Sequence, residues 1–81
     1  MELQNTIALM ESSDFKDRFK AEYYQLKIRT EKLAAMLDKY ENRTLEFTPK
    51  CSIELLNTQY EFMKAYLHIL QERATIEGIE L

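Results

Sequence analysis

The chain is expected to fold as an all-α protein: a short N-terminal helix followed by a long antiparallel helical hairpin that assembles with copies of itself. Three observations predict this. Gly and Pro occur once each in 81 residues while apolar residues make up 46%, a composition that suits long helices and leaves few breakers for sheets. Two rows of mostly apolar residues repeat with alternating spacings of four and three, as when a helix buries one stripe. Further apolar residues fall outside those rows, as in the run QYEFMKAYLHIL from Gln59 to Leu70, which holds more than one amphipathic face can carry.

A single domain spanning residues 1–81 is expected, and a chain this short buries only about 60–65% of the surface its unfolded form exposes. The first helix is placed at about 2–10, with Leu3, Ile7 and Met10 on one side. It ends near ESSD, where Ser12 or Ser13 can cap the next helix and Asp14 suits the positive end of its dipole. The second helix then runs over about 13–41. In ENRTLEFTPKC the pattern breaks. Thr48 before Pro49 fits an N-cap followed by proline at the first helical position, which starts a third helix over about 49–76, ended by Gly78. A connection of about seven residues makes the two long helices antiparallel neighbours, with the first helix packed across one end.

One seam is read as Phe19, Tyr23, Leu26, Thr30, Leu33, Leu37 and Tyr40, and the facing one as Ile53, Leu56, Tyr60, Met63, Leu67, Leu70 and Ala74. Thr30 is expected to bond to its own backbone. The third helix carries another row, Leu55, Gln59, Phe62, Tyr66, Ile69, Arg73 and Ile76, turned away from the first. Tyr24, Ile28 and Ala35 form a smaller patch opposite the seam of the second helix. Burying a side chain such as Phe62 stabilises by about 1.5–3 kcal/mol, so these surfaces point to self-association through Leu55, Phe62, Tyr66, Ile69, Ile76, Tyr24 and Ile28. The rival arrangement has the first helix, Leu45 and Phe47 cover the second row instead.

Net charge is −3, which argues against binding duplex DNA, where phosphate neutralisation dominates. Between Phe15 and Tyr40, however, seven basic and four acidic residues give +3, leaving −6 elsewhere. The middle of the chain is thus the anion-facing part. The lone Cys51 excludes an internal disulfide, no leader pattern opens the chain, and the longest uncharged run, Leu3 to Met10, has eight residues. A cytoplasmic protein with no membrane span is expected.

Little here speaks for catalysis. His68, Cys51 and a few serines form no nucleophile–base set, no glycine-rich phosphate loop is present, and Cys51 and His68 lack a second pair of zinc ligands. Neither an enzyme, a metal site nor a cofactor is expected. On the second helix Arg18, Gln25, Arg29 and Lys32 share an angular strip beside the seam. As a plain solvated face it would pair Arg18 with Glu22. Phe15, at the edge of the same region, could stack on a base while the guanidinium groups bind phosphate, or could join the core.

Phe15, Arg18, Glu22, Leu26, Arg29 and Lys32-Leu33, followed by Leu55-Leu56, Gln59, Met63-Lys64, Tyr66, Leu67, Leu70 and Arg73, resemble the hairpin of the phage anti-CBASS cyclic-oligonucleotide sponges, which the anti-Thoeris sponges share. The resemblance covers about residues 15–76. It implies a compact hexamer in the cytoplasm of the infected host that sequesters cyclic di- or trinucleotides without cleaving them. On this resemblance Phe15 would stack on a base, where relatives often have Tyr, and Arg29 would bind phosphate, where Lys is common. Arg18 and Lys32 are the other cations of the anion-facing strip, and Arg73 would serve a separate trinucleotide pocket or, as the plainer alternative, stand as a seam cation paired with an acid. Two other readings stand beside it: a helical inhibitor of a host defence protein, of the anti-restriction or anti-CRISPR type, and a structural helical oligomer without a ligand.

Overall fold

The computed structural model describes all 81 residues, Met1 to Leu81. A 3-10 turn, Leu3–Thr6, runs into the short helix α1, Ile7–Glu11; the hairpin consists of α2, Phe15–Glu41, and α3, Ile53–Glu77. There is no strand, and the molecule measures 43 × 24 × 17 Å.

The turn into α2 differs by a residue or two from expectation. Asp14 is the cap, its carboxylate accepting from the Lys16 N–H at 2.9 Å. The Ser12 hydroxyl is used otherwise: it accepts from the Asp14 N–H at 3.1 Å and donates to the Asp17 carboxylate at 2.8 Å. A charged oxygen accepts the exposed helical amide more strongly than a hydroxyl does.

At its far end α2 closes with the Thr44 N–H on the Lys39 carbonyl at 2.8 Å and the Arg43 N–H on the Tyr40 carbonyl at 3.1 Å. This paired closure needs a left-handed residue, and Arg43 supplies it at φ 59°. The third helix also ends on a left-handed residue, the expected Gly78 at φ 70°, whose N–H, like that of Ile79 at 2.8 Å, reaches the Ala74 carbonyl. Ile79 thereby turns back into the core.

The start of α3 corrects the sequence reading. Thr48 and Pro49 do not open the helix; it begins at Ile53, capped by Ser52, whose hydroxyl accepts from the Leu55 N–H at 3.1 Å. Ser52 is an equally good cap, and Glu54 behind it suits the helix dipole. The connection is therefore eleven residues, 42–52, rather than about seven. Half-buried Leu45 and Pro49 lie in it.

The two seams face each other as expected, but burial along them is uneven. Phe19, Tyr23, Leu70, Ala74 and Ile79 form the core, with Tyr24, Leu26 and Leu67 packed against it. Further along, Leu33, Leu37, Leu56, Tyr60 and Met63 are only half-buried, and Tyr40 is exposed. Thr30 is buried and its hydroxyl donates to the Leu26 carbonyl at 2.7 Å. Across the seam the Gln71 amide donates to the Tyr23 hydroxyl at 3.2 Å, and the Tyr66 hydroxyl donates to the Glu22 carboxylate.

The N-terminal segment is not one regular helix over 2–10, and it does not cross an end of the hairpin. It lies along the side of α2, and none of its Cα atoms comes within 8 Å of one in α3. Thr6 is fully buried there, donating to the Leu3 carbonyl at 2.7 Å and accepting from the Gln25 amide at 2.9 Å. Ala21 and Ile28, which share a helical face with Gln25, are buried as well. Ile28 therefore lies inside the single chain, and Tyr24, half-buried beside the Tyr23 ring, is largely occupied too. The second row of α3 stays uncovered: Phe62 is 73% and Ile76 84% exposed, with Leu55, Tyr66 and Ile69 also exposed.

Candidate ligand-binding site

At the buried end of the hairpin the Phe19 ring is met by two side chains, its helical neighbour Phe15 and, from far along the sequence, Arg73. The Phe15 ring sits 6.3 Å from that of Phe19, tilted by 53°. Across the seam the Arg73 guanidinium carbon lies 5.0 Å from the Phe19 centroid, while its Nε holds the Glu77 carboxylate at 3.3 Å. Phe19 is buried and Phe15 half exposed. Phe19 thus has a half-exposed aromatic as one neighbour and, as another, a cation held by a ring and a carboxylate; an aromatic face can take a planar base and a guanidinium an anionic oxygen.

The strip on α2 divides into two parts. Arg18 does not pair with Glu22; its Nη1 donates to the Ser12 carbonyl at 3.0 Å, while Glu22 accepts from Tyr66. Gln25 is occupied by Thr6. Beyond the N-terminal segment Arg29 and Lys32 are exposed. All three ion pairs of the molecule lie within α3: Lys64 with Glu61, His68 with Glu72, and Arg73 with Glu77. The Lys64 ammonium also sits 4.5 Å from the centre of the Tyr60 ring, and its pKa is raised chiefly by the hydrogen bond to Glu61. No cation of α2 has a carboxylate within ion-pair distance, so the charge that α2 presents is available to an external anion.

A family model named Sequestin matches residues 13–76, from the turn before α2 to the last turn of α3. The chain belongs to the Sequestin family. That name speaks of sequestration, and the matched span contains all five candidate ligand residues, Phe15, Arg18, Arg29, Lys32 and Arg73. Searches of curated proteins and of solved structures found no match. No helix of this Sequestin-family chain is long and apolar enough to cross a membrane.

The contact of Arg73 with Phe19 does not follow from the helical pattern of the third helix, where Arg73 stands as a member of the outer row. A signal for it existed. Running one seam backwards against the other sets Phe19 opposite Ala74, next to Arg73. His68 is exposed and its Nε2 lies 3.1 Å from the Glu72 carboxylate one turn along the same helix.

A concavity of about 710 Å³ opens at the loop end of the hairpin, with Leu37, Leu45, Pro49 and Ile53 at its apolar side. Nothing in the heptad pattern marks it, because its walls include the connection whose length the sequence understated.

Proposed function

We propose that this protein sequesters cyclic di- or trinucleotides in clefts formed between copies of itself and releases them uncleaved. The observation carrying this reading is the separation of Phe15 from Arg29. Both are exposed, yet fourteen residues of one helix place them about 21 Å apart, too far to grip one nucleotide together. A neighbouring copy brings the aromatic of one chain to the cation of the other.

Self-association has its own support. The chain exposes 6055 Å², about 900 Å² more than the roughly 5,100 Å² expected of a folded monomer of this mass. That excess is close to one partner's share of a standard interface, and the row Leu55, Phe62, Tyr66, Ile69 and Ile76 supplies apolar area for it. A cyclic dinucleotide with approximate two-fold symmetry suits a dimer axis, and a trinucleotide a three-fold axis, so a hexamer offers both. In the cytoplasm of an infected host, such a phage anti-CBASS sponge would withdraw the messenger before its effector responds. The proposal includes no chemical step; tight binding rests on charge-assisted hydrogen bonds and pre-formed surfaces.

Calorimetry against a panel of cyclic di- and trinucleotides tests this. Sub-micromolar binding is expected, with the ligand recovered intact after heat denaturation of the protein. Phe15→Ala or Arg29→Ala should abolish it without changing sedimenting mass. Absence of binding across the panel, or a monomer at high micromolar concentration, overturns the proposal. The exposed row also favours a second reading, an inhibitor whose Phe62 and Ile76 anchor a host defence protein. In that case the protein sediments as a monomer and captures one stoichiometric partner, and Phe62→Glu abolishes capture.

A further inference from the structure

The concavity at the loop end lies at the opposite end of the hairpin from Phe15 and Phe19, and none of the candidate ligand residues lines it. Its 710 Å³ falls within the range of small-molecule sites. Two of its walls are aromatic and uncovered, Tyr40 being 46% and Phe47 59% exposed. Two more are charged, Glu41 and Arg43, and neither has an ion-pair partner. Arg43 is also the only non-glycine residue with positive φ. The matching end of α3 uses Gly78, so an arginine at this position forgoes stability that a glycine would supply. Backbone strain of this kind concentrates at ligand clamps.

The paired charges select the ligand. A simple anion would be repelled by Glu41 and a simple cation by Arg43. The fitting molecule is flat, apolar on both faces, and carries acceptors along one edge and donors along another. Guanine has this pattern. Its O6 and N7 accept from arginine in a bidentate pair, while N1–H and the 2-amino group donate, matching a carboxylate. Adenine offers an amino donor where arginine needs an acceptor, so Arg43 discriminates against it. We propose that this cleft binds a guanine base, with Arg43 on O6 and N7, Glu41 on N1–H and the 2-amino group, and Tyr40 and Phe47 against its faces. An adjoining hollow of about 190 Å³ shares Leu45 and Phe47 with the cleft and adds Lys39, Thr44 and Glu46; Lys39 is its one cation for the phosphate of a guanine nucleotide, set against the Glu46 carboxylate.

The test is calorimetry of the full chain with guanosine 5′-monophosphate and adenosine 5′-monophosphate. Guanosine monophosphate should bind about tenfold or more tightly than the adenine nucleotide. Arg43→Gly removes the guanidinium while relaxing the backbone, so it should weaken guanosine monophosphate by about tenfold or more with Tm unchanged or higher. Glu41→Gln should narrow the preference for guanine. Equal binding of the two nucleotides, no binding at millimolar concentration, or full affinity in Arg43→Gly each overturns the proposal. The two sites fail separately: mononucleotide titrations of Arg43→Gly report the loop end, and the cyclic panel with Phe15→Ala reports the other.

Discussion

Arg73 sits on the outer row of α3, yet its guanidinium carbon lies 5.0 Å from the centre of the Phe19 ring on α2. A residue read as part of the oligomer-facing row therefore helps close the hairpin where burial is deepest. Its second contact, Glu77 at 3.3 Å, holds the planar group over the ring.

Removing either partner should separate the two roles. Phe19→Ala empties a core site and is expected to cost about 3–5 kcal/mol, a large share of the total for a small domain. Arg73→Ala forfeits an interaction of about 0.5–1 kcal/mol. Urea denaturation of the two variants checks the ranking; equal losses would mean that Arg73 carries packing beyond its contact with the ring.

Glutamate at Phe62 or Ile76 should leave the fold of one chain intact, because those side chains are 73% and 84% exposed, while introducing like charges into any interface built on that row. Sedimentation velocity should show a lower mass with an unchanged helical circular dichroism spectrum. An unchanged mass for both variants would move the interface to another face.

At the end of α3 a Cβ on Gly78 would meet nothing within 4 Å. The cost of Gly78→Ala therefore comes from the left-handed backbone alone, about 1 kcal/mol. Gly78→Asn should cost less, because Asn tolerates that conformation. A thermal melt distinguishes the pair; a far larger loss for alanine would indicate that Ile79 had left the core.

Thr6 is the fully buried anchor of the N-terminal segment. Thr6→Val leaves the Gln25 amide only the weak Met10 Sδ acceptor at 3.5 Å, at a cost of about 1–3 kcal/mol. The loss is expected to stay local: proteolysis near Ser12 to Asp14 should accelerate while the hairpin core keeps its melting behaviour. Simultaneous melting of the core would show that the segment and hairpin fold as one unit.

The hairpin was legible because its pattern is redundant. Seven positions on each long helix repeat the same spacing, so Phe19 and Tyr23 find Ala74 and Leu70 without any single residue deciding the register. Gly78 was legible because few other residues accept its backbone angle. The start of α3 was not, since Thr48 and Ser52 are both good caps and the choice depends on how residues 42–52 fold over the loop end. Ile28 lies on the side away from the seam, as its spacing places it, but the cover of that face was not legible: it is a separate segment fixed by the Thr6–Gln25 bond, a contact nineteen positions apart that helical periodicity does not encode. The aromatic–cation cluster required a tertiary register to be applied to a residue already assigned to another face.

The gradient of burial along the seam gives the hairpin a clamped end and a loose one. Backbone amides near Phe19 to Leu26 and Leu67 to Ala74 should exchange with deuterium only when the whole chain opens, whereas those near Leu37 to Tyr40 and Ile53 to Asn57 should exchange through partial separation of the helices. The loop end can thus breathe while its opposite end stays shut, and any guest that wedges between the helices there will slow exchange locally without moving the amides around Tyr23.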